Sequence, residues 1–138
     1  MDDDKIVNSD AEPKVEVAGL KNFKIKVSRN GIVLGWLTNV GSPEYWITLG
    51  DEAGASVWYQ VFSSGSTYLS TGPNNYLSYR TRGASGLGMK MRGWAYAAKW
   101  ELMGKNLKCL DNDKLVGMDG DYFYVNSENV VDVEYVSV

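Results

Sequence analysis

The sequence predicts a small, soluble, all-β domain, and three observations support this fold class. A chain of 138 residues, of which 44% are hydrophobic and 22% charged, can bury a single core without disulfides. Short runs alternate apolar and polar residues with a period of two, as half-buried strands do. No segment carries apolar residues at helical spacing for three turns; residues 94–103 come nearest, and we interpret 98–103 as a strand.

Turn signals divide these alternating runs into hairpins. Residues 23–27 alternate cleanly and lead into Asn30-Gly31, a pair that tolerates the positive φ angles of a tight hairpin turn. The same pattern recurs in two later segments, 68–79 and 107–118, where polar turns separate apolar strands. The sequence therefore predicts a series of antiparallel hairpins.

The hairpins belong to an internal repeat. Three units, about 20–63, 64–104 and 105–138, each follow the order strand, turn, strand, loop, strand, turn, strand. Matching positions in the three units are Ile25, Leu69 and Leu107. Four strands in each of three units predict twelve strands in one domain that spans 15–138.

An acidic leader precedes this domain. Residues 1–14 are polar, with Pro13 near their end, and are expected to be disordered or loosely attached. Residues 2–5 resemble an enteropeptidase recognition sequence one aspartate short, so they are either native or left over from cloning. No signal peptide is visible and no apolar run reaches the roughly 18 residues that span a bilayer. We expect a cytoplasmic or non-classically secreted protein.

The repeat resembles the β-trefoil fold. The hairpin from Tyr68-Leu69-Ser70 to Tyr79 resembles those of fascin-like and hisactophilin-like trefoils, and Trp100-Glu101-Leu102 resembles their fourth strands. No unit carries the Gln-x-Trp motif of ricin-type trefoil lectins. The resemblance covers about 20–138 and implies a trefoil as the architecture. A β-prism, or another antiparallel barrel or sandwich, remains the alternative.

Composition argues against several kinds of chemistry. Fourteen basic and 17 acidic residues give a net charge of −3, which argues against a nucleic-acid partner. The chain has no histidine, the commonest general base and zinc ligand, and a single cysteine, Cys109, which we interpret as a buried apolar residue. The Asp111–Asp113 segment lacks the glycine and glutamate of a calcium loop. We therefore expect no catalytic residues, no metal site and no cofactor.

Aromatic residues are the positive signal. The chain contains five Trp, nine Tyr and three Phe. Trp58 or Tyr59, Trp100 and Tyr135 lie on the repeated fourth strands and are expected in the bottom layer of the core. Other aromatic residues flank polar loops, one group in each unit, where rings beside acids or amides could stack on sugars and bind their hydroxyls. The candidate ligand-binding residues are Tyr45, Trp46, Trp94, Tyr96, Asp119, Asp121, Tyr122 and Asn126.

These features favour a carbohydrate-binding lectin or agglutinin, with up to three related shallow sites for glycans or glycoproteins. Repeated weak sites gain avidity for multivalent glycans. The alternative is a protein-binding trefoil, either a protease inhibitor using loop 63–65 or 80–83, or a cytoskeletal partner. A toxin targeting module is a third, weaker hypothesis. A homo-oligomer is compatible with each.

Overall fold

The computed structural model describes residues 6–13, 21–39, 45–126 and 128–138. Within these ranges it contains twelve antiparallel strands: β1 (Lys21–Arg29), β2 (Ile32–Asn39), β3 (Ile47–Gly50), β4 (Trp58–Ser63), β5 (Ser66–Gly72), β6 (Asn75–Thr81), β7 (Leu87–Arg92), β8 (Trp100–Met103), β9 (Asn106–Cys109), β10 (Lys114–Asp119), β11 (Tyr122–Val125) and β12 (Asp132–Ser137). The all-β prediction is confirmed. Strand β8 starts two residues later than expected.

Helical structure in the described ranges is limited to two short 3-10 turns, Gly83–Ser85 and Trp94–Tyr96. The second turn occupies part of the segment whose apolar spacing came nearest to a helix. Across the described ranges, no helix has the length and apolar character that crossing a membrane requires.

Eight strands close a hydrogen-bonded barrel. Its order is β1, β2, β3, β11, β7, β6, β5 and β4, and β4 pairs with β1 again. The other four strands extend this barrel, because β8 pairs with β9, β9 with β10, and β12 with β1. The architecture is therefore an antiparallel barrel with additional strands.

Two groups of strands can be recognised in these pairings. The hairpins β2–β3, β6–β7 and β10–β11 contact one another through β3–β11 and β7–β11 pairing. The other six strands follow one another in a ring, in which β12–β1, β1–β4, β4–β5 and β8–β9 are paired. Strand β5 lies close to β8, and β9 lies close to β12, which completes the ring.

The core fills the barrel with side chains from all three predicted units. Ile25, Leu69 and Leu107, which the repeat places at matching positions, are fully buried. Trp58 and Trp100 are also buried in this core. Burying such residues removes large apolar surfaces from water, which is the main stabilising contribution to folding.

Two further residues of the core bear out their predicted placement. Tyr135 is half-buried and stacks on Phe23, with ring centroids 4.5 Å apart. Cys109 is fully buried, and this burial raises the pKa of its thiol to about 12. A thiol held neutral at ordinary pH is a poor nucleophile, so Cys109 is a structural apolar residue.

The N-terminal segment differs from the expectation of a loosely attached leader. Residues 6–13 lie against the barrel; Ile6 packs on the core, and the Asn8 backbone N–H donates to the Ala95 carbonyl oxygen at 2.8 Å. Composition indicated disorder because the segment is polar, but its polar groups have specific partners on the folded surface. Residues 1–5 and 14 of the predicted leader lie outside the described residues.

Candidate binding site

The predicted ligand-binding residues fall into different environments. Trp46 and Tyr122, which come from different units, are brought to one place. Trp94 is buried in another aromatic cluster, with 6% of its surface exposed. The remaining predicted residues are Tyr45, Tyr96, Asp119, Asp121 and Asn126.

The first group, which we call the arginine cluster, consists of Trp46, Arg82, Lys90, Tyr122 and Tyr124. The Arg82 guanidinium carbon lies 3.7 Å from the ring centroid of Tyr122 and 5.3 Å from that of Trp46. Its Nη1 donates a hydrogen bond to the Tyr124 hydroxyl oxygen at 3.1 Å. The Lys90 Nζ lies 4.6 Å from the Trp46 ring centroid. The Trp46 ring thus contacts two cations, Arg82 and Lys90.

Local backbone structure positions Arg82. This residue directly follows β6, and the loop after it is closed by two hydrogen bonds, from the Arg82 N–H to the Gly86 carbonyl at 2.8 Å and from the Ser85 N–H to the Arg82 carbonyl at 3.0 Å. The loop therefore presents the side chain from a defined backbone position.

Trp46 is positioned by a close approach to β7. It forms an isolated antiparallel bridge with Lys90, and its ring lies over Gly88. A Cβ at position 88 would lie 2.8 Å from Trp46 Cζ3, so glycine is needed for the ring to lie there. Tyr122 and Tyr124, two residues apart on β11, share one face of that strand.

The surroundings of the arginine cluster are partly open. Trp46, Arg82, Lys90 and Tyr122 are half-buried. Tyr45 directly precedes Trp46, and 51% of its surface is exposed. These four residues and Tyr45 can therefore be reached from solvent, whereas Tyr124 is buried.

Acidic residues lie beside this cluster but do not neutralise it. Asp119, the last residue of β10, and Asp121, in the turn before β11, are exposed. The Asp121 carbonyl oxygen accepts a hydrogen bond from the Leu49 N–H at 3.0 Å. Among the residues that the structure describes, no carboxylate forms an ion pair with Arg82 or Lys90. The cluster is therefore cationic, with hydrogen-bond acceptors nearby.

The second group, which we call the covered cluster, consists of Tyr68, Tyr76 and Trp94. The Trp94 ring centroid lies 4.8 Å from that of Tyr68 and 5.3 Å from that of Tyr76. Val61 and Ala97 complete this small apolar core, which is distinct from the main one. Such edge-on and tilted contacts are favourable geometries for aromatic pairs.

Residues 6–13 cover this cluster. The Trp94 Nε1–H donates to the Asp10 carbonyl oxygen at 2.8 Å, and the Asn8 side-chain amide donates to the Trp94 carbonyl oxygen at 2.8 Å. The Glu12 carboxylate accepts a hydrogen bond from the Tyr76 hydroxyl at 2.7 Å and another from the Asn74 N–H. The segment thus occupies the surface that the aromatic pattern had predicted to be available.

The same contacts change the acidity of the tyrosines. Burial raises the pKa of Tyr76, and the hydrogen bond and negative charge of Glu12 raise it further. Burial also raises the pKa of Tyr68, with smaller effects from the charges of Asp111 and Asp10. Each cause disfavours the negatively charged phenolate.

The other predicted residues have local structural contacts. The Tyr96 ring lies 4.2 Å from the guanidinium carbon of Arg92, which is 4% exposed. The Asn126 side-chain oxygen accepts a hydrogen bond from the Glu128 N–H at 3.0 Å, a common way for asparagine to close a turn. A ligand-binding role for either residue stays a prediction.

Two grooves lie elsewhere on the molecule. Each has a volume of about 430 Å³, and the two share Leu102 and Tyr135 in their walls. None of the eight predicted residues lines either groove. Across the described part of the chain, no three side chains of the metal-ligating types converge.

Sequence reasoning missed Arg82, Lys90 and Tyr124 as members of a site. The sequence places Arg82 only in the candidate inhibitor loop 80–83, and it gave no reason to select Lys90. The pattern of basic residues in the middle unit was a usable signal. Which rings those cations would contact depends on pairing between distant strands.

Comparison with known proteins adds no relative. The sequence matches no protein-family model and no curated protein, and the fold matches no solved structure.

Proposed function

We propose that this protein binds carbohydrate, with the arginine cluster and Tyr45 forming one shallow site. The observation that supports this most is the meeting of Trp46 and Tyr122 around a single guanidinium. Both residues were predicted as sugar-binding residues, from separate units. Sugar sites combine flat apolar rings with a few fixed hydrogen-bonding groups.

Each component of such a site is present. Tyr45 offers an exposed ring, and Arg82 offers donors whose orientation is fixed by Tyr122 and Tyr124. Asp119 and Asp121, exposed beside Tyr122, offer carboxylate acceptors for sugar hydroxyls. Because these residues are half-buried or exposed, a pyranose could contact them without a change of the backbone.

The strand pairing also supports a β-trefoil as the form of this barrel. A six-strand ring accompanied by three mutually paired hairpins is the arrangement expected of three units with four strands each. In such an arrangement the arginine cluster combines side chains from all three units. It is then a single central site, in place of the three repeated sites that the sequence favoured.

A single site changes the expected behaviour. Trp94 and Tyr76 of the middle unit are covered by residues 6–13, so the arginine cluster with Tyr45 is the open aromatic group that we propose as the site. One site binds a glycan but cannot cross-link cells, because avidity needs several linked sites. Agglutination would then require an oligomer.

The arrangement of Arg82 argues against a protease-inhibitor loop at 80–83. An inhibitory loop presents its specificity side chain outward to a protease. Here the Arg82 guanidinium lies against two rings and a tyrosine hydroxyl.

A glycan array tests the proposal. We expect the intact protein to bind a subset of glycans, and Tyr122→Ala to abolish that signal while the circular dichroism spectrum is retained. Tyr59→Ala is the matched control, because it also removes a half-buried tyrosine ring but lies outside the arginine cluster and is not one of the predicted ligand-binding residues. An array without signal, or equal binding by Tyr122→Ala and the intact protein, would overturn the proposal.

A further inference from the structure

Charge is distributed unevenly between the three units. The chain as a whole has a net charge of −3, yet between 64 and 104 it has five basic residues and a single acidic residue, Glu101. The basic residues of this unit are Arg80, Arg82, Lys90, Arg92 and Lys99. Four of them belong to the hairpin that β6 and β7 form, or to the loop between these strands. An acidic protein thus carries a local cationic surface at the arginine cluster.

The two cations of the arginine cluster lie close together. Since Arg82 and Lys90 both contact the Trp46 ring, at 5.3 and 4.6 Å, their charges are no more than about 10 Å apart. Like charges at this separation repel each other. The negative faces of the aromatic rings offset part of this repulsion, and an anion bound between the cations would offset more.

Arg82 is held in a way that suits a carboxylate. Its guanidinium carbon lies 3.7 Å from the Tyr122 ring centroid, and one nitrogen donates to the Tyr124 hydroxyl. Within the described part of the chain, this hydroxyl is the only acceptor found for the guanidinium. Guanidinium has five N–H donors in a planar fork, and two parallel donors match the two oxygens of a carboxylate. Because the guanidinium is already oriented, it loses less conformational entropy when it binds a carboxylate.

We propose that the saccharide bound at this site carries a carboxylate, as uronic and sialic acids do, and that Arg82 and Lys90 bind this group. This inference rests on the proposed function and narrows its ligand class. The carboxylate would lie against the free edge of the Arg82 guanidinium, with Lys90 as the second cation. The sugar ring would then lie towards Tyr45 and Tyr122.

The test uses titration calorimetry on the full chain with matched sugars. The probes are an oligogalacturonide and its methyl ester, and sialyllactose with lactose as its neutral counterpart. We expect at least one free acid to bind about tenfold more tightly than its neutral partner, the size expected for hydrogen bonds to a charged group. A heparin-type sulfated oligosaccharide is the third arm.

Three variants distinguish the effect of the guanidinium's geometry from the effect of the unit's overall charge. Arg82→Lys keeps the charge but removes the fork, and is expected to weaken binding of the acid about tenfold. Tyr124→Phe, a conservative change at a buried ring, removes only the acceptor for Arg82 and should weaken binding a few-fold. Lys99→Gln is the control, since it lowers the charge of the same unit away from the cluster. It should change the affinity by less than about twofold, because distant surface charges are screened.

The outcomes are distinguishable. If acid and neutral sugars bind equally well, the carboxylate inference is wrong while carbohydrate binding stands. Tighter binding of the sulfated arm, or equal weakening by Lys99→Gln and Arg82→Lys, would also overturn the inference. If none of these sugars and no glycan of an array binds, the proposed function fails together with the inference.

Discussion

The arginine cluster and the covered cluster show how similar aromatic patterns acquire different roles. Each groups aromatic rings around polar partners near the hairpins of the barrel. In the arginine cluster the partners are cations, and the Trp46 and Tyr122 rings are only half-buried. In the covered cluster the partners are the carboxylate, amide and carbonyl groups of residues 6–13, and Trp94 is only 6% exposed.

The two regions therefore differ in whether another segment of the chain covers their rings, and not in their aromatic content. A ring beneath the protein's own chain contributes to stability, whereas a half-exposed ring can contribute to binding. Substitutions in the covered cluster should therefore lower the free energy of unfolding and leave binding intact. Substitutions in the arginine cluster should weaken binding, with a smaller loss in the free energy of unfolding.

The largest effect is expected from Trp94→Ala. Removing a buried indole creates a cavity, and such changes cost about 3–5 kcal/mol. Trp46→Ala should cost less, about 1–2 kcal/mol, because that ring is half-buried and part of its surface already contacts water. Urea unfolding of both variants measures the difference. Equal losses of stability would mean that the two clusters do not differ as described.

Removal of residues 1–13 should have the next largest effect. It eliminates the hydrogen bonds made by Asn8, Asp10 and Glu12. At about 1 kcal/mol each, less the entropy regained by the freed segment, the loss should be about 2–3 kcal/mol. Tryptophan emission should shift to longer wavelength as Trp94 becomes hydrated. Glycan binding at the arginine cluster should persist, and its loss would couple the two regions.

Alkaline pH should destabilise the protein through its buried tyrosines. The pKa values of Tyr68, Tyr76 and Tyr135 are raised in the folded state, chiefly by burial. Above about pH 10 the unfolded chain loses these protons while the folded chain keeps them, so stability falls as the pH rises. Absorbance at 295 nm should show a late phase that coincides with unfolding. A single phase near pH 10 with the fold intact would contradict this expectation.

The smallest effect in this series is expected for Glu12→Gln. The amide keeps one acceptor oxygen but loses the negative charge, so the free energy of unfolding should fall by about 1 kcal/mol. The pKa of Tyr76 should move down towards its usual range, because a negative neighbour no longer opposes ionisation. Asp10→Asn is the matched control, since Asp10 contacts Trp94 through its backbone carbonyl. Equal effects of the two substitutions would show that net charge alone is responsible.

Some local features of the fold were predicted correctly from the sequence. Asn30 and Gly31 both have positive φ, of 53° and 80°, in the turn that their identities predicted. Ile25, Leu69 and Leu107 were placed at matching positions and are all buried. The turn and the strands were predicted correctly because turn geometry and strand alternation depend on neighbours in the sequence, whereas the threefold repeat stays a prediction.

The site was predicted less completely. Trp46 and Tyr122 were selected as neighbours of polar loops and lie together at one guanidinium, whereas Arg82 and Lys90 were not selected. These contacts join residues that are 36 or more positions apart in the sequence. The leader was predicted to be loosely attached, because composition alone does not reveal that Asn8 and Glu12 have partners on the folded surface.

The sequence by itself determined an all-β domain built from short antiparallel strands, because hydrophobic alternation and turn residues act over a few positions. It also determined the absence of histidine chemistry and the excess of basic residues in the middle unit. Only the tertiary structure decided which aromatic cluster lies open. That outcome depends on which distant strands pair and on where residues 6–13 find hydrogen-bond partners, and both are decided by packing between parts of the chain far apart in sequence.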